Sequence, residues 1–378
     1  LRDALISPDE FVGIEGIAHL CTGGEAPILK SQLDALSHFA RDKGDGMAGR
    51  ERMFDVYNAT KQQLSWLVNR PSGDIALLGS ASEGVNAVAG ALDWRAGDNV
   101  VFADREYPSL RYRWTRLSER GVQLRVVPTR NWLIDLNDLR AAVDRRTRLV
   151  AVSQVGYLTG QRLSLPALAD IAWNAGAHLL VDATHALGVV DVDANYCDFV
   201  VSSCYKWLLA AHGAGVFVWN RSRVPDLQPE SLGWHSVGSR SGRDNPTEVV
   251  LRRDADRFEI ANPSFPTIYL LHNALERLAA LPAKQVEAHA VALGGEVLAG
   301  LTARGFSILT PQPAAQRAGN TCFAFDDAER LVAALGERKV QVWGSEGRVR
   351  VSTHVYNAST DVQRFFEAFD ETQRDRVL

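Results

Sequence analysis

The chain has 378 residues, 46% hydrophobic and 23% charged, with a formal net charge of −4. Its charges are scattered, without a basic stripe or an acidic tail, which reads against nucleic acid or an anionic membrane and toward a small-molecule partner. The length allows a large core without disulfides or structural metals and favours two domains. The first twenty residues carry Arg2, Asp3, Asp9, Glu10 and Glu15, unlike a secretory signal, and no apolar run reaches a membrane span. A cytoplasmic protein is therefore expected, although the chain begins at Leu1 rather than Met, which leaves a short lost leader open.

From about residue 60 to 220, short apolar runs alternate with helical patterns. The runs are Ile75–Leu78, Asn99–Ala103, Leu124–Val127, Leu149–Val152, His178–Val181, Phe199–Val201 and Val216–Trp219. Near-continuous hydrophobic strands separated by helices predict an α/β fold whose seven-stranded, mainly parallel sheet is buried on both faces. The helix after Ser164 shows the local grammar, with Ser164 as cap, Pro166 in the first turn, an apolar stripe at Leu165, Leu168, Ala169 and Ala172, and Gly176 as stop. Residues 236–257 are polar with Gly and Pro and read as a long loop, whose Arg240, Arg243, Arg252 and Arg253 are candidates for shaping a pocket. Residues 266–304 read as helical. From about Phe306 short strands and helices return, as in a smaller α+β unit, and the last helix, about 360–372, stacks Val362, Phe365, Phe366 and Phe369. The expected division is a large domain over 20–258 and a small domain from 1–19 with 259–378.

In open parallel sheets, ligands sit beyond the carboxyl ends of the strands. Those ends deliver Asp182 and His185, Ser202, Ser203, Tyr205 and Lys206, Glu106 and Tyr107, the run Gly79–Gly84, and Gln154, Gly156 and Tyr157. One lysine, one carboxylate, a hydroxyl-rich helix start and an aromatic on one rim match the needs of pyridoxal 5′-phosphate (PLP). A lysine amine forms the Schiff base, a carboxylate such as Asp182 faces the pyridine nitrogen, and a helix N-terminus at Ser80-Ala81-Ser82 takes the phosphate. Tyr107 is the candidate for stacking on the ring. Each residue also has a plain reading: Lys206 as a surface charge, Asp182 as a loop cap, His185 and Tyr107 as packing, Arg350 as a structural ion pair. Gly79–Gly84 lacks both the P-loop and the dinucleotide fingerprint. The four cysteines (Cys21, Cys197, Cys204, Cys322) form no CxxC pair and the nine histidines no HExxH, so no metal site is expected.

The run Val181-Asp-Ala-Thr-His185, followed by Cys197 through Tyr205-Lys206 to Val216, resembles the class V aminotransferase family, a branch of the aspartate-aminotransferase fold (PLP fold type I). The resemblance extends from the Gly23-Gly24-Glu25-Ala26-Pro27 turn to Arg350–Asn357. The Asp-x-x-His and Tyr-Lys forms look most like kynureninases and epimerase-like members. The resemblance implies Lys206 as the Schiff-base lysine, Asp182 at the ring nitrogen, His185 near the phenolic oxygen and Tyr107 over the ring. It also implies Ala81, Ser82, Ser203 and Tyr205 at the phosphate, and Arg350 as the clamp on a substrate α-carboxylate, with Tyr157 nearby. Trp234 resembles a kynureninase tryptophan near the phosphate. Asn262 sits where the family often reaches the neighbouring subunit's cofactor, which implies a homodimer.

The reaction is less sharply marked. Members that are cysteine desulfurases carry a persulfide-accepting cysteine shortly before the Arg350 motif, and residues 335–349 contain none. Transamination of an amino acid is expected first, C–C or C–S lyase chemistry second, and epimerisation third. Kynureninase itself is weakened by the short chain and by Gly233-Trp234-His235. The non-enzymatic alternatives, a silent binding module or a plain nucleotide-binding α/β protein, have less support, because the Lys206/Asp182 pair is intact and nucleotide fingerprints are missing.

Overall fold

The computed structural model describes residues 1–238 and 249–375, so Arg240 and Arg243 of the polar loop lie outside the described residues. After a two-residue strand β1 (Ala18–His19) come helices α1 (Ser31–Gly44) and α2 (Gly46–Leu67). The large sheet is built from β2 (Ile75–Leu78), β3 (Asn99–Ala103), β4 (Gln123–Val127), β5 (Thr147–Ser153), β6 (His178–Asp182), β7 (Phe199–Ser203) and β8 (Gly215–Trp219). Between these strands run α3 (Ala81–Ala91), α4 (Pro108–Ser118), α5 (Leu136–Ala142) and α6 (Leu165–Trp173). In α6, the Ser164 hydroxyl accepts from Ala167 N–H and proline opens the first turn, as its sequence predicts.

The strand order is β2-β8-β7-β6-β5-β3-β4. Six strands share one direction, and only β8 runs against them, antiparallel between β2 and β7. Side-chain alternation divides the core into two layers: Val150 and Val152 of β5 face one, Leu149 and Ala151 the other. The edge strand β4 departs from this pattern. It exposes Gln123 and Val126, because only one neighbour pairs with it.

The C-terminal part contains α7 (Phe265–Ala279), α8 (Ala283–Ala303), β9 (Asn320–Ala324), α9 (Ala328–Glu337), β10 (Val340–Gln341), β11 (Trp343–Ser345), β12 (Arg348–Ser352) and α10 (Ser359–Asp375). The single helical stretch expected over 266–304 is two helices. Pro282 lacks an N–H and disfavours helical geometry at Leu281, so the chain breaks there. Strands β11, β12 and β9 form an antiparallel sheet in that order, and β1 pairs parallel with β10. A third core of Leu293, Phe323, Val351, Phe365 and Phe369 lies beneath them. The β11–β12 turn is only Glu346-Gly347, both at positive φ (53° and 73°), the geometry of a two-residue hairpin.

The described C-terminal end of the polar loop and the residues that follow it are anchored. Tyr57 donates to Asp256 and Glu259, Lys61 pairs with Asp256, and the Glu259 carboxylate accepts from Leu77 N–H. Arg252 pairs with Asp254 and Asp256 at 3.2 and 3.0 Å, so it holds this structure together. No helix among the described residues is long and apolar enough to cross a membrane.

Candidate active site

Helix α3 starts immediately after β2. Ser80 accepts from Glu83 N–H, and the Glu83 carboxylate accepts from Gly79 N–H at 2.7 Å, so the helix entry is fixed from both sides. The N–H groups of Ala81 and Ser82 belong to the first turn, which has no intrahelical acceptor for them and favours an anion. This start rests on the backbone of β8. A Cβ at Gly215 would lie 2.4 Å from the carbonyl carbon of Ser80 and 2.7 Å from the nitrogen of Ala81, so only glycine permits the contact.

A cavity of about 130 Å³ opens at this point. Ser80, Ala81 and Ser82 form one end, with Ser203 and Tyr205 from beyond β7. Asp182 from the end of β6, then Thr184, His185 and Lys206, line the rest with Tyr107, Ser153, Val155 and Tyr157. The parallel register that sets β6 beside β7 therefore brings Asp182 and Lys206 to one space, although 24 positions separate them in the chain. The Lys206 Nζ lies 5.5 Å from the ring centre of Tyr107, and Tyr107 meets Tyr157 edge-on at 5.2 Å.

Burial governs the electrostatics here. It lowers the Lys206 amine to about 8, helped by the Arg350 charge and opposed by Asp182. Burial also raises the Asp182 carboxyl, against hydrogen bonds from Thr184 and the Lys206 charge. The His185 imidazole is held well below its ordinary value by burial and by the Lys206 and Arg350 cations. A low amine value suits a lysine that must react as the free base.

Arg350 lies outside this cavity but beside it. Its Nη1 donates to the Tyr157 carbonyl at 2.6 Å, while its Nε is buried without a partner. A buried guanidinium with an unused donor can take a carboxylate. Trp234 and Asn262 are elsewhere. Arg50 joins them, donating to Asn262 Oδ1 at 2.8 Å and lying 5.6 Å from the centre of the Trp234 ring, which is exposed. Neither residue lines the cavity of its own chain; both sit at Arg50 of α2 instead.

Sequence reasoning placed Glu106 on the rim but passed over its partner Ser153, Thr184, and Ser109, which bonds the Ser82 hydroxyl at 2.7 Å. Glu106 is buried and accepts from both the N–H and the hydroxyl of Ser153. Burial, with Asp182 nearby, raises its carboxyl to about 7 despite those bonds. The sign of the pH effect follows: the folded chain keeps a proton that the unfolded chain releases from pH 4.5 upward, so stability falls as pH rises from 4.5 to about 7. Glu106→Gln should therefore stabilise the ligand-free chain above this window and not below it, by up to about 3 kcal/mol. Thermal unfolding on either side of the window measures the gain, and an equal effect at both ends would contradict it.

A larger groove of about 1070 Å³ lies elsewhere, between Arg130, Arg162 and Gln316. Its arginines are already paired, with Asp138 and Glu287, so it lacks a converging reactive set.

The cavity residues fit PLP: an amine, a buried acid, a helix N-terminus with hydroxyls around it, and an aromatic face. Comparison with known proteins agrees. A "Probable cysteine desulfurase" from Pseudomonas putida is 30% identical, covering 90% of this chain and 89% of its own. A "Probable cysteine desulfurase" from Pseudomonas aeruginosa is 28% identical, covering 95% of this chain and 94% of its own. The fold matches the apo structure of a cysteine desulfurase from Thermococcus onnurineus NA1 at a TM-score of 0.88 and 20% identity, over 98% of this chain and 99% of that one. The profile described as "Aminotransferase class-V" matches residues 26–365. This chain belongs to the class V aminotransferase family of PLP-dependent enzymes.

Proposed function

We propose that the enzyme acts on a sulfur-bearing α-amino acid and cleaves its C–S bond, with Lys206 holding the cofactor. The observation that carries the site assignment is the shared cavity of Lys206, Asp182 and the start of α3. When bound, PLP supplies an electron-accepting ring that weakens bonds at Cα and beyond. Asp182 keeps the ring nitrogen protonated through its negative charge. Ala81 and Ser82 hold the phosphate through backbone N–H groups, with Ser203 and Tyr205 adding hydroxyls. Tyr107 covers the ring face. Lys206, once its amine is free, takes the Cα proton, a task matched to a value of about 8. Arg350 receives the substrate carboxylate beside Tyr157. Trp234 and Asn262, joined by Arg50 on an exposed surface, serve the cavity of a second copy in a homodimer.

The names of the relatives bring C–S cleavage ahead of transamination, reversing the order expected from the sequence. Transamination remains the second reading. It is favoured by the short β11–β12 hairpin, which presents no cysteine before Arg350. The test is incubation of the PLP-loaded protein with L-cysteine or L-cystine, with and without α-ketoglutarate. Release of a sulfur product without a keto acid is expected. Glutamate formed only with α-ketoglutarate, and no sulfur product, would move the assignment to transamination.

A further inference from the structure

His185 has more partners than its presumed task requires. Its Nε2 lies 3.2 Å from Lys206 Nζ, while its Nδ1 faces two nitrogens: Asn320 Nδ2 at 3.0 Å and Trp207 Nε1 at 3.4 Å. All four residues are buried. Distances alone allow the Asn320 amide to turn in either sense. The indole settles the matter, because Trp Nε1–H is a donor with no acceptor capacity. A proton on Nδ1 would point at that N–H, so Nδ1 is the acceptor.

The amide then completes the arrangement. Its Nδ2 donates to His185 Nδ1, and its Oδ1 accepts from the Ser352 hydroxyl at 2.8 Å. Asn320 begins β9 and Ser352 ends β12, where the two pair across the C-terminal sheet. Gly23 closes over them: a Cβ there would lie 2.7 Å from Asn320 Oδ1 and 2.8 Å from Ser352 Oγ. Any side chain at that position would disturb the pair that orients the amide.

We propose that Asn320 and Trp207 lock His185 as the Nε2–H tautomer, making it a fixed hydrogen-bond donor toward the cofactor's phenolic oxygen rather than a proton-accepting base. Asn320 is thus a positioning residue that acts through His185. The inference rests on PLP occupying this cavity, but the tautomer itself is a property of the chain. A neutral imidazole agrees with the lowered value of His185. Proton removal at this end of the cavity then falls to Lys206 alone.

The test reads imidazole nitrogens directly. The full chain is labelled with ¹⁵N-histidine and measured both PLP-loaded and after PLP removal, and His185 is assigned by its loss in His185→Gln. The wild type should show an unprotonated Nδ1 and a protonated Nε2 that hold through the neutral range. Asn320→Asp replaces the donor by a carboxylate, an acceptor only, and should shift the Nδ1 resonance to its protonated position. A wild-type Nδ1 that carries the proton would overturn the proposal, as would Asn320→Asp leaving Nδ1 unprotonated. The wild-type spectrum alone decides if the variant does not fold. Failure of the cofactor assignment is read separately, as a protein that takes up no PLP.

Discussion

Lys206→Ala protein, loaded with PLP, should lack the Schiff-base absorbance band of the wild type and turn over at least ~10³-fold more slowly. The expectation comes from the cavity. Lys206 is buried, with its amine against His185 Nε2, and is the lysine among the cavity-lining residues. No other described residue of the cavity wall carries an amine that could take its place. PLP should still bind, because the α3 start and the surrounding hydroxyls are untouched, so absorbance and phosphate affinity should separate. A variant that kept the wild-type spectrum and rate would remove Lys206 from its assigned place.

Asp182→Asn should retain the fold and the cofactor but lose about 10²- to 10³-fold in kcat, the loss expected when one member of a buried charge pair is neutralised. Asn keeps the acceptor that Asp182 offers to Thr184 N–H at 2.8 Å, so the loop carrying His185 stays in place. What disappears is the negative charge opposite the ring. Stopped-flow measurement of Cα-proton removal checks this, and an unchanged rate would mean that the ring nitrogen has another partner.

Much of this site was legible because its residues lie in short runs after strands. Asp182, His185, Ser203, Tyr205 and Lys206 fall within 25 consecutive positions, and the register of β6 with β7 does the rest. Tyr107, Ala81 and Ser82 were legible for the same reason, as strand ends followed by helix starts. The pairings that escaped notice are joined across the chain. Asn320 meets His185 from 135 positions away, and Glu106 meets Ser153 across two strands 47 positions apart. Neither partner carries a local signal, since an Asn at a strand start or a Glu before a Tyr has many plain uses. Trp234 and Asn262 do not reach the cavity of their own chain for a different reason: both sit at Arg50, and for Asn262 that contact spans 212 positions that no local motif announces. The break between α7 and α8 was visible as Pro282, but the helical period on either side concealed it.

The two-residue turn at Glu346-Gly347 has a chemical consequence. With both φ values positive and the flanking strands paired up to Ser345 and Arg348, the hairpin has no slack to swing a side chain into the cavity. This hairpin therefore offers no cysteine to the cavity from this edge. Under the proposed C–S cleavage, the sulfur would leave by diffusion through the mouth of the cavity.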